Sequence, residues 1–377
     1  MSSTLLQVQP VARKVTALCW LPPHGGTAYT DTSLHFVTGS GGKHKELVLW
    51  TTCNPDFPKP SSEPPADART GALASVISKV AHDGDVQRVV GLSSSVLATA
   101  SSYGTLSIYN VDTESGGEAG GRGILQLRES VTAHKFSNGE SAVATSLAVQ
   151  PTGSADAEIA SSGEDGRIAY MQASRVETLQ SHEVDSTVIT DICWPTAAQV
   201  AVTTRGGQIK LFDRRTPNDV AAVFVDPSNT YAFECISAHP SQPYRLATGT
   251  STGAILLWDV RNPRKPTNEL FDVHGANVWQ VAFDPADATR IVSCSEDATM
   301  AVTQWVPEGS AGAGAAALGV APEKTRGVRR ISSMFNALSV NCFDACPYTR
   351  TSLLIAGSDS GNLLMERGSA NGDFGDF

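Results

Sequence analysis

One pattern recurs seven times along this chain of 377 residues. Each copy begins with a short apolar run that ends in small residues, continues through a turn rich in Ser, Thr and Gly, and closes with an alternating apolar run. Examples are VLATASSYGTLSIY (96–109) and RLATGTSTGAILLWD (245–259). A period of two is typical of strands and not of helices. The pattern therefore predicts seven antiparallel hairpins.

The residue that closes each turn supports this interpretation. It is glycine in five copies, at Gly104, Gly166, Gly207, Gly253 and Gly361. Glycine adopts positive φ without a Cβ clash, which tight hairpin turns require. Lys43 and Ala298 are the two exceptions to this rule.

Each hairpin is flanked by further strand-like segments. An apolar segment precedes every copy and usually ends near a proline. A more polar one follows most copies and often leads to a histidine, as in VISKVAH (76–82) and RVETLQSH (175–182). Four strands per unit, at a spacing of roughly 41 to 63 residues, predict an all-β, seven-bladed WD40 β-propeller with four antiparallel strands per blade. LLQVQP (5–10) is predicted to supply the outer strand of the last blade and so close the ring.

The repeat accounts for nearly the whole chain as one domain. A single propeller is predicted over residues 1–367, followed by a short flexible tail at 368–377. Three insertions rich in Pro, Gly, Ala or Ser interrupt it at 53–71, 113–123 and 307–327. Such segments cannot bury enough apolar surface to offset their conformational entropy, so mobile surface loops are predicted there.

Composition restricts the partners. A net charge of -10 disfavours a phosphate-binding surface, so nucleic acid is not predicted as a partner. Seven cysteines without a C-x-x-C pair indicate neither a disulfide framework nor a zinc ribbon. No apolar run is long enough for a transmembrane segment. We expect an intracellular chain that binds proteins and holds no cofactor or metal.

A G-x-S-x-G match at 249–253 is the one pattern typical of a catalytic nucleophile, here Ser251. A nucleophile elbow joins a strand to a helix, whereas the AILLWDV that follows alternates as a strand. We interpret the match as one of the repeated turns and predict no enzymatic activity.

Four histidines lie between the outer strand of one blade and the inner strand of the next: His82, His134, His182 and His274. Buried polar groups need hydrogen-bond partners. The candidate partners are Thr99, Ser161 and Ser293 in second strands and Asp165 and Asp297 in turns. We predict that these residues form structural hydrogen bonds and that none is a metal ligand or general base.

A W-D-x-R box ends the fifth hairpin at Trp258, Asp259 and Arg261, and a weaker echo contains Arg214. The box resembles one in WD-repeat substrate receptors of cullin-4 ubiquitin ligases, in which the arginine engages the adaptor. This resemblance makes the four residues docking candidates. The alternative is that Asp259 ends a strand and Arg261 is solvated.

Several longer strings in order along the chain, among them VAHDGDVQRV (80–89) and ALSVNCFDACPYTRTSLLIAGSDSG (337–361), carry a more specific resemblance. Together they resemble the 43-kDa WD-repeat nucleoporins of the Y-shaped nuclear pore scaffold. The resemblance implies a non-enzymatic subunit located in the nucleus at the nuclear pore complex, with roles in pore assembly, protein and mRNA transport and, in mitosis, at kinetochores. The implied partners are an α-solenoid nucleoporin of the short arm and a neighbouring WD-repeat nucleoporin.

Overall fold

The computed structural model describes residues 5–23, 33–56, 73–113, 124–154, 157–172, 174–216, 220–226, 231–305, 327–331, 338–349 and 352–367. Within them the chain forms 28 strands and no helix. The strands are arranged as seven separate four-stranded antiparallel sheets. The prediction of a seven-bladed propeller with four strands per blade is therefore confirmed.

The blades follow one another in chain order. Blade 1 comprises β2 (Val15–Trp20), β3 (Ser33–Ser40), β4 (Glu46–Cys53) and β5 (Ser75–Ala81). Blade 2 comprises β6 (Val86–Ser93), β7 (Val96–Ser101), β8 (Thr105–Asp112) and β9 (Ile124–Thr132). Blade 3 comprises β10 (Ala144–Val149), β11 (Glu158–Gly163), β12 (Arg167–Gln172) and β13 (Arg175–Glu183). Blade 4 comprises β14 (Ile189–Thr196), β15 (Gln199–Thr204), β16 (Gln208–Asp213) and β17 (Val220–Val225).

The last three blades complete the ring. Blade 5 comprises β18 (Phe233–Ala238), β19 (Arg245–Thr250), β20 (Ile255–Asp259) and β21 (Asn268–Leu270). Blade 6 comprises β22 (Val278–Phe283), β23 (Arg290–Ser295), β24 (Met300–Gln304) and β25 (Gly327–Ile331). Blade 7 comprises β26 (Val340–Ala345), β27 (Leu353–Ser358), β28 (Asn362–Arg367) and β1 (Leu5–Pro10). We call the first strand of each sheet its inner strand and the last its outer strand.

The ring closes through the N-terminal strand, as predicted. β1 pairs antiparallel with β28 along its full length, from Leu5 opposite Arg367 to Pro10 opposite Asn362. Leu6 and Val8 pack against the apolar core between blades 6 and 7. The outer strand of blade 7 and the inner strand of blade 1 therefore come from one continuous segment, which joins the two ends of the chain.

The apolar core lies between blades. Each cluster of buried side chains draws on neighbouring blades, as where Val37 of blade 1 meets Val89 and Leu97 of blade 2. Second strands are buried almost throughout, because both of their faces pack on a neighbour. This arrangement explains why these strands are runs of small and apolar residues and do not alternate.

The turns between second and third strands follow the predicted glycine rule with one correction. All five predicted turn glycines have positive φ, between 71° and 93°. Ala298 adopts the same conformation with φ of 68°. In blade 1 the residue with positive φ is Gly42 and not Lys43, so the assignment of Lys43 to this position was wrong.

Antiparallel connectivity gives the ring two distinct faces. The turns between second and third strands, and the connections from each outer strand to the next inner strand, lie on one side, which we call the turn face. The ends of the third strands lie on the opposite face. The predicted insertions at 53–71, 113–123 and 307–327 and the tail at 368–377 lie largely or wholly outside the described residues.

Candidate functional site

Polar side chains line the centre of the ring at one repeated position. Every inner strand has a β-bulge at its second residue. A bulge re-aims its side chain away from the regular pleat. The seven residues at this position border a central cavity of about 350 Å³; they are Thr16, Gln87, Thr145, Thr190, Glu234, Trp279 and Asn341.

Several of these side chains bond the next blade. The hydroxyl groups of Thr16, Thr145 and Thr190 each donate to a backbone carbonyl of the following inner strand at 2.7 Å. Asn341 Nδ2 donates to Val15 O at 2.9 Å, which ties blade 7 to blade 1. These channel groups therefore stabilise the ring and are not free for chemistry. The remaining lining includes cations and carboxylates, so the cavity does not select one sign of charge.

A buried carboxylate lies at the same junction. Asp344 Oδ2, on β26, accepts a hydrogen bond from Trp20 N on β2 at 2.8 Å. Burial raises the pKa of Asp344 from 3.8 to about 6, although the Trp20 N–H opposes the shift. At neutral pH the ring junction therefore holds a charged group that the folded state disfavours.

This carboxylate makes a testable contribution to pH dependence. A folded-state pKa above the ordinary value means that the native protein binds the proton more tightly, so this contribution to stability grows as pH falls through 6 toward 4. We expect Asp344→Asn to gain about 2 kcal/mol in unfolding free energy, relative to wild type, between pH 4 and pH 8. Urea unfolding of both proteins across this range measures the difference. If the unfolding free energies of the two proteins changed equally with pH, the prediction would be contradicted.

The predicted histidine bonds are present at three of the four positions. His134 is fully buried, donates from Nδ1 to Asp165 Oδ1 at 3.0 Å and accepts from Ser161 Oγ at Nε2 at 2.8 Å. His274 Nε2 lies 2.7 Å from Ser293 Oγ, and its Nδ1 lies 3.3 Å from Asp297 Oδ2.

His82 forms a shorter version of this arrangement. It accepts from Thr99 Oγ1 at 3.0 Å and donates to Gly84 O at 2.9 Å. All three imidazoles thus connect the turn face of one blade to the next, and their ring nitrogens are occupied by protein groups.

His182 does not belong to this set. Neither of its ring nitrogens has a hydrogen-bond partner among the described residues. Its ring stacks on Tyr170 at 5.7 Å and meets the edge of Phe212 at 5.6 Å, and burial together with the nearby Arg214 lowers its pKa. The equivalent of His134 is Asp185, because each donates its backbone N–H to the carbonyl of its turn glycine.

Asp185 replaces the histidine with an ion pair. Its Oδ2 lies 2.8 Å from Lys210 Nζ, and both side chains are largely buried. Burial alone would raise the pKa of Asp185, but the Lys210 ammonium and the Thr187 N–H hold it below its ordinary value. The placement of His182 with the other three histidines was therefore wrong by three residues, because β13 continues to Glu183 and His182 lies within this strand.

The buried histidine contacts predict a cost for removing one partner. Ser161→Ala is expected to lower the unfolding free energy by about 2 kcal/mol, because it leaves Nε2 of the fully buried His134 unsatisfied. A double-mutant cycle with His134→Phe, measured by urea unfolding, should give a coupling of about 1 kcal/mol or more. Additive losses would show that the hydroxyl and the imidazole do not stabilise each other.

The W-D-x-R box lies on the face of the ring opposite the turn face. Trp258 is buried and donates from Nε1 to Thr248 Oγ1 at 3.0 Å. Arg261 Nη2 lies 2.5 Å from Asp259 Oδ2, and the guanidinium stacks 3.8 Å from the centre of the Tyr244 ring. These bonds lower the pKa of Asp259. Because 65% of the Arg261 side chain stays exposed, its surface is open to a partner.

Arg214 has a different role from the one predicted. It forms a bidentate pair with Glu158 at 2.7 and 2.8 Å, donates to Gln180 Oε1 at 2.7 Å and lies 4.1 Å over the Tyr170 ring. It therefore joins blade 4 to blade 3, with only 19% of its side chain exposed. The structural counterpart of Arg261 is Arg215, which pairs with Asp213 in the same way and is 77% exposed.

The catalytic motif is a turn. Ser251 lies between β19 and β20, and its backbone N–H donates to Ala232 O at 3.0 Å. A strand follows it, where a nucleophile elbow has a helix. Across the described ranges, no three His, Cys, Asp or Glu side chains are placed to hold a metal ion. No helix in the same ranges could cross a membrane.

Comparison with known proteins agrees with this geometry. A family model described as WD domain, G-beta repeat matches residues 264–302. Human nucleoporin Nup43 is 25% identical over 293 residues, covering 77% of this chain and 73% of that protein. Mouse nucleoporin Nup43 is 26% identical over 300 residues with the same coverage. The nuclear pore complex protein nup43 of Dictyostelium discoideum is 28% identical over 97 residues, 24% of this chain and 21% of that protein.

The ring and these relatives confirm the resemblance carried by the sequence. Identity to the human and mouse proteins extends over about three quarters of each chain, as expected for a whole propeller and not for one repeat. The chain is a WD-repeat β-propeller similar to the Nup43 nucleoporins.

Proposed function

We propose that this chain is a non-enzymatic structural subunit of the nuclear pore complex in the nucleus. The observation that carries the proposal is its similarity to Nup43 proteins over 77% of its length. The geometry is consistent with it, because the serine hydroxyl groups beside His134 and His274 are fully buried, where no substrate reaches them. The chain would act by binding alone, as a rigid ring that offers two faces and a rim to larger proteins.

The resemblance supports a more specific assignment. We propose membership of the Y-shaped scaffold complex, with contacts to an α-solenoid nucleoporin of its short arm and to a neighbouring WD-repeat nucleoporin. In that position the chain supports pore assembly and nucleocytoplasmic transport, including mRNA transport. A kinetochore role in mitosis remains a prediction drawn from the resemblance alone.

Co-purification tests this function. The full chain, tagged and expressed at its natural level, should recover the scaffold nucleoporins from cell extract at mild salt. A tagged WD-repeat propeller unrelated to the pore provides the control for nonspecific capture. Recovery of the chain without any pore protein would overturn the proposal.

The exposure of Arg261 favours one second candidate, a substrate receptor of a cullin-4 ubiquitin ligase. An adaptor that engages Arg261 has to compete with Asp259 and the Tyr244 ring. Arg261→Ala should then abolish adaptor pull-down, while Arg215→Ala, which removes the counterpart in blade 4, should not. Arg214→Ala is unsuitable here because it disrupts blade packing. Unchanged pull-down with Arg261→Ala would exclude this candidate.

A further inference from the structure

The outer strand of blade 4 differs in composition from the other six. β17 reads VAAVFV and contains no polar side chain. The other outer strands each contain charged residues or glutamines, such as Lys79 in β5, Arg128 and Glu129 in β9 and Gln7 in β1. Charged side chains on edge strands normally prevent pairing with other chains. β17 lacks that protection.

One edge of β17 has no partner within the sheet. The strand is last in the order β14-β15-β16-β17, and among the residues that the structure describes it pairs only with β16. Phe224 points into the core and meets Trp258 edge-on at 6.0 Å. Val220, Val223 and Val225 are 44%, 44% and 38% exposed. The strand is thus anchored by one aromatic ring and presents both a row of backbone groups and apolar side chains to solvent.

The one charged residue paired with β17 in the described sheet is neutralised by an ion pair. Lys210 lies opposite Val223 in the register of β16 and β17. Its ammonium is held by Asp185 Oδ2 at 2.8 Å and by Val184 O at 3.0 Å. No charge in β17 itself favours a charged partner, so the strand fits an uncharged segment with apolar, β-branched side chains.

The size of the β17 edge distinguishes two kinds of partner, a second copy of the ring and an extended segment of another protein. Six residues of strand extend about 20 Å. Two rigid rings that met edge to edge would bury only a few hundred Å² each, below the roughly 800 Å² per partner of a stable interface. An extended segment instead pairs with the backbone and lays its side chains over both faces of the sheet. The geometry favours a segment over a second copy of the ring.

We infer that β17 is a docking edge, at which an extended apolar segment of a partner protein adds to blade 4 as a fifth strand. The inference rests on the proposed function only for the identity of that partner, a neighbouring scaffold protein. Alternate backbone groups of residues 220–225 form the hydrogen bonds, and the exposed valines select β-branched side chains.

A peptide experiment tests the edge independently of the pore. The probe is a fluorescein-labelled peptide, KVTVTVTVK, titrated with the full chain and followed by anisotropy. Val223→Lys should weaken binding about tenfold or more, since it places a charge on the new strand pair. Leu127→Lys is the matched control, because Leu127 lies on β9 and is 47% exposed. Absence of binding, or equal weakening by both variants, would overturn the inference.

A second measurement applies to the recovered complex. Backbone amides of 220–225 should exchange with deuterium about tenfold or more slowly in the complex than in the free chain. If pore proteins co-purify equally with wild type and Val223→Lys and these amides stay unprotected, the edge assignment fails while the proposed function stands. If no pore protein is recovered, the proposed function fails and the peptide result decides the inference alone. Sedimentation showing a dimer that Val223→Lys abolishes would reject the segment in favour of a second copy.

Discussion

A Gly253→Ala variant is expected to lose about 4 kcal/mol of unfolding free energy. Gly253 has φ of 93°, and a Cβ built there lies 2.1 Å from His274 O. The connection that carries His274 would have to move, which would strain its bonds to Ser293 and Asp297. The loss therefore combines backbone strain with disruption of a buried hydrogen-bonded cluster. Urea unfolding followed by tryptophan fluorescence measures it.

Two variants separate these causes. Gly42→Ala changes the matching turn of blade 1, where φ is 81° but nothing lies within 4 Å of the added Cβ. It should lose only about 1 kcal/mol, the backbone term alone. Ser251→Ala should leave stability unchanged, because the serine hydroxyl serves no structural bond in this turn. A small loss in Gly253→Ala, or a large one in Gly42→Ala, would contradict the described turn geometry.

Arg214→Ala is expected to lower the unfolding free energy by about 3 kcal/mol. The substitution removes a bidentate ion pair, a bond to Gln180 and the stacking on Tyr170. It also leaves Glu158, which is 15% exposed, without its counter-ion. A largely buried carboxylate without a partner costs more than an exposed pair contributes. Urea unfolding at neutral pH measures the change.

Arg215→Ala is the matched control for that variant. The guanidinium of Arg215 pairs with Asp213 at the exposed surface, where ion pairs contribute little to stability. The unfolding midpoint of Arg215→Ala should equal that of wild type. Equal losses in the two variants would show that Arg214 does not join the blades as described.

The repeated hairpin made most of the fold predictable from sequence. Glycine at a fixed place between two apolar runs sets the turn, and the turn sets which residues face the neighbouring blades. The same logic identified LLQVQP as the closing strand, because the last hairpin is followed only by a short glycine-rich tail and LLQVQP precedes the first inner strand. Local patterns with a strict period therefore carried the architecture.

The predictions were wrong where an outer strand extends further than expected or where a partner comes from another blade. His182 matches the histidine pattern, yet it lies within β13, which continues to Glu183, and Asp185 beyond the strand occupies the position equivalent to His134. Arg214 and Arg215 are adjacent in sequence, and only the position of Glu158 across the blade interface shows which one is buried. The outer strand β17 contains no polar residue, so a search for polar outer strands did not find it. The outer strand β25 begins at Gly327, where the sequence predicted the end of an insertion.

The bulges of the inner strands could not be predicted for a similar reason. A one-residue insertion in a strand is visible only when the partner strand fixes the register. Without it, Thr16, Thr145 and Thr190 read as ordinary positions of alternating strands. The structure shows instead that they hold neighbouring blades together around the channel.

Cross-linking mass spectrometry of the complex purified with the full-length tagged chain tests the central claim most directly. A ring that serves the nuclear pore scaffold by binding alone should yield links from its surface lysines to scaffold nucleoporins. Links to a ligase adaptor in place of any pore protein would contradict that account.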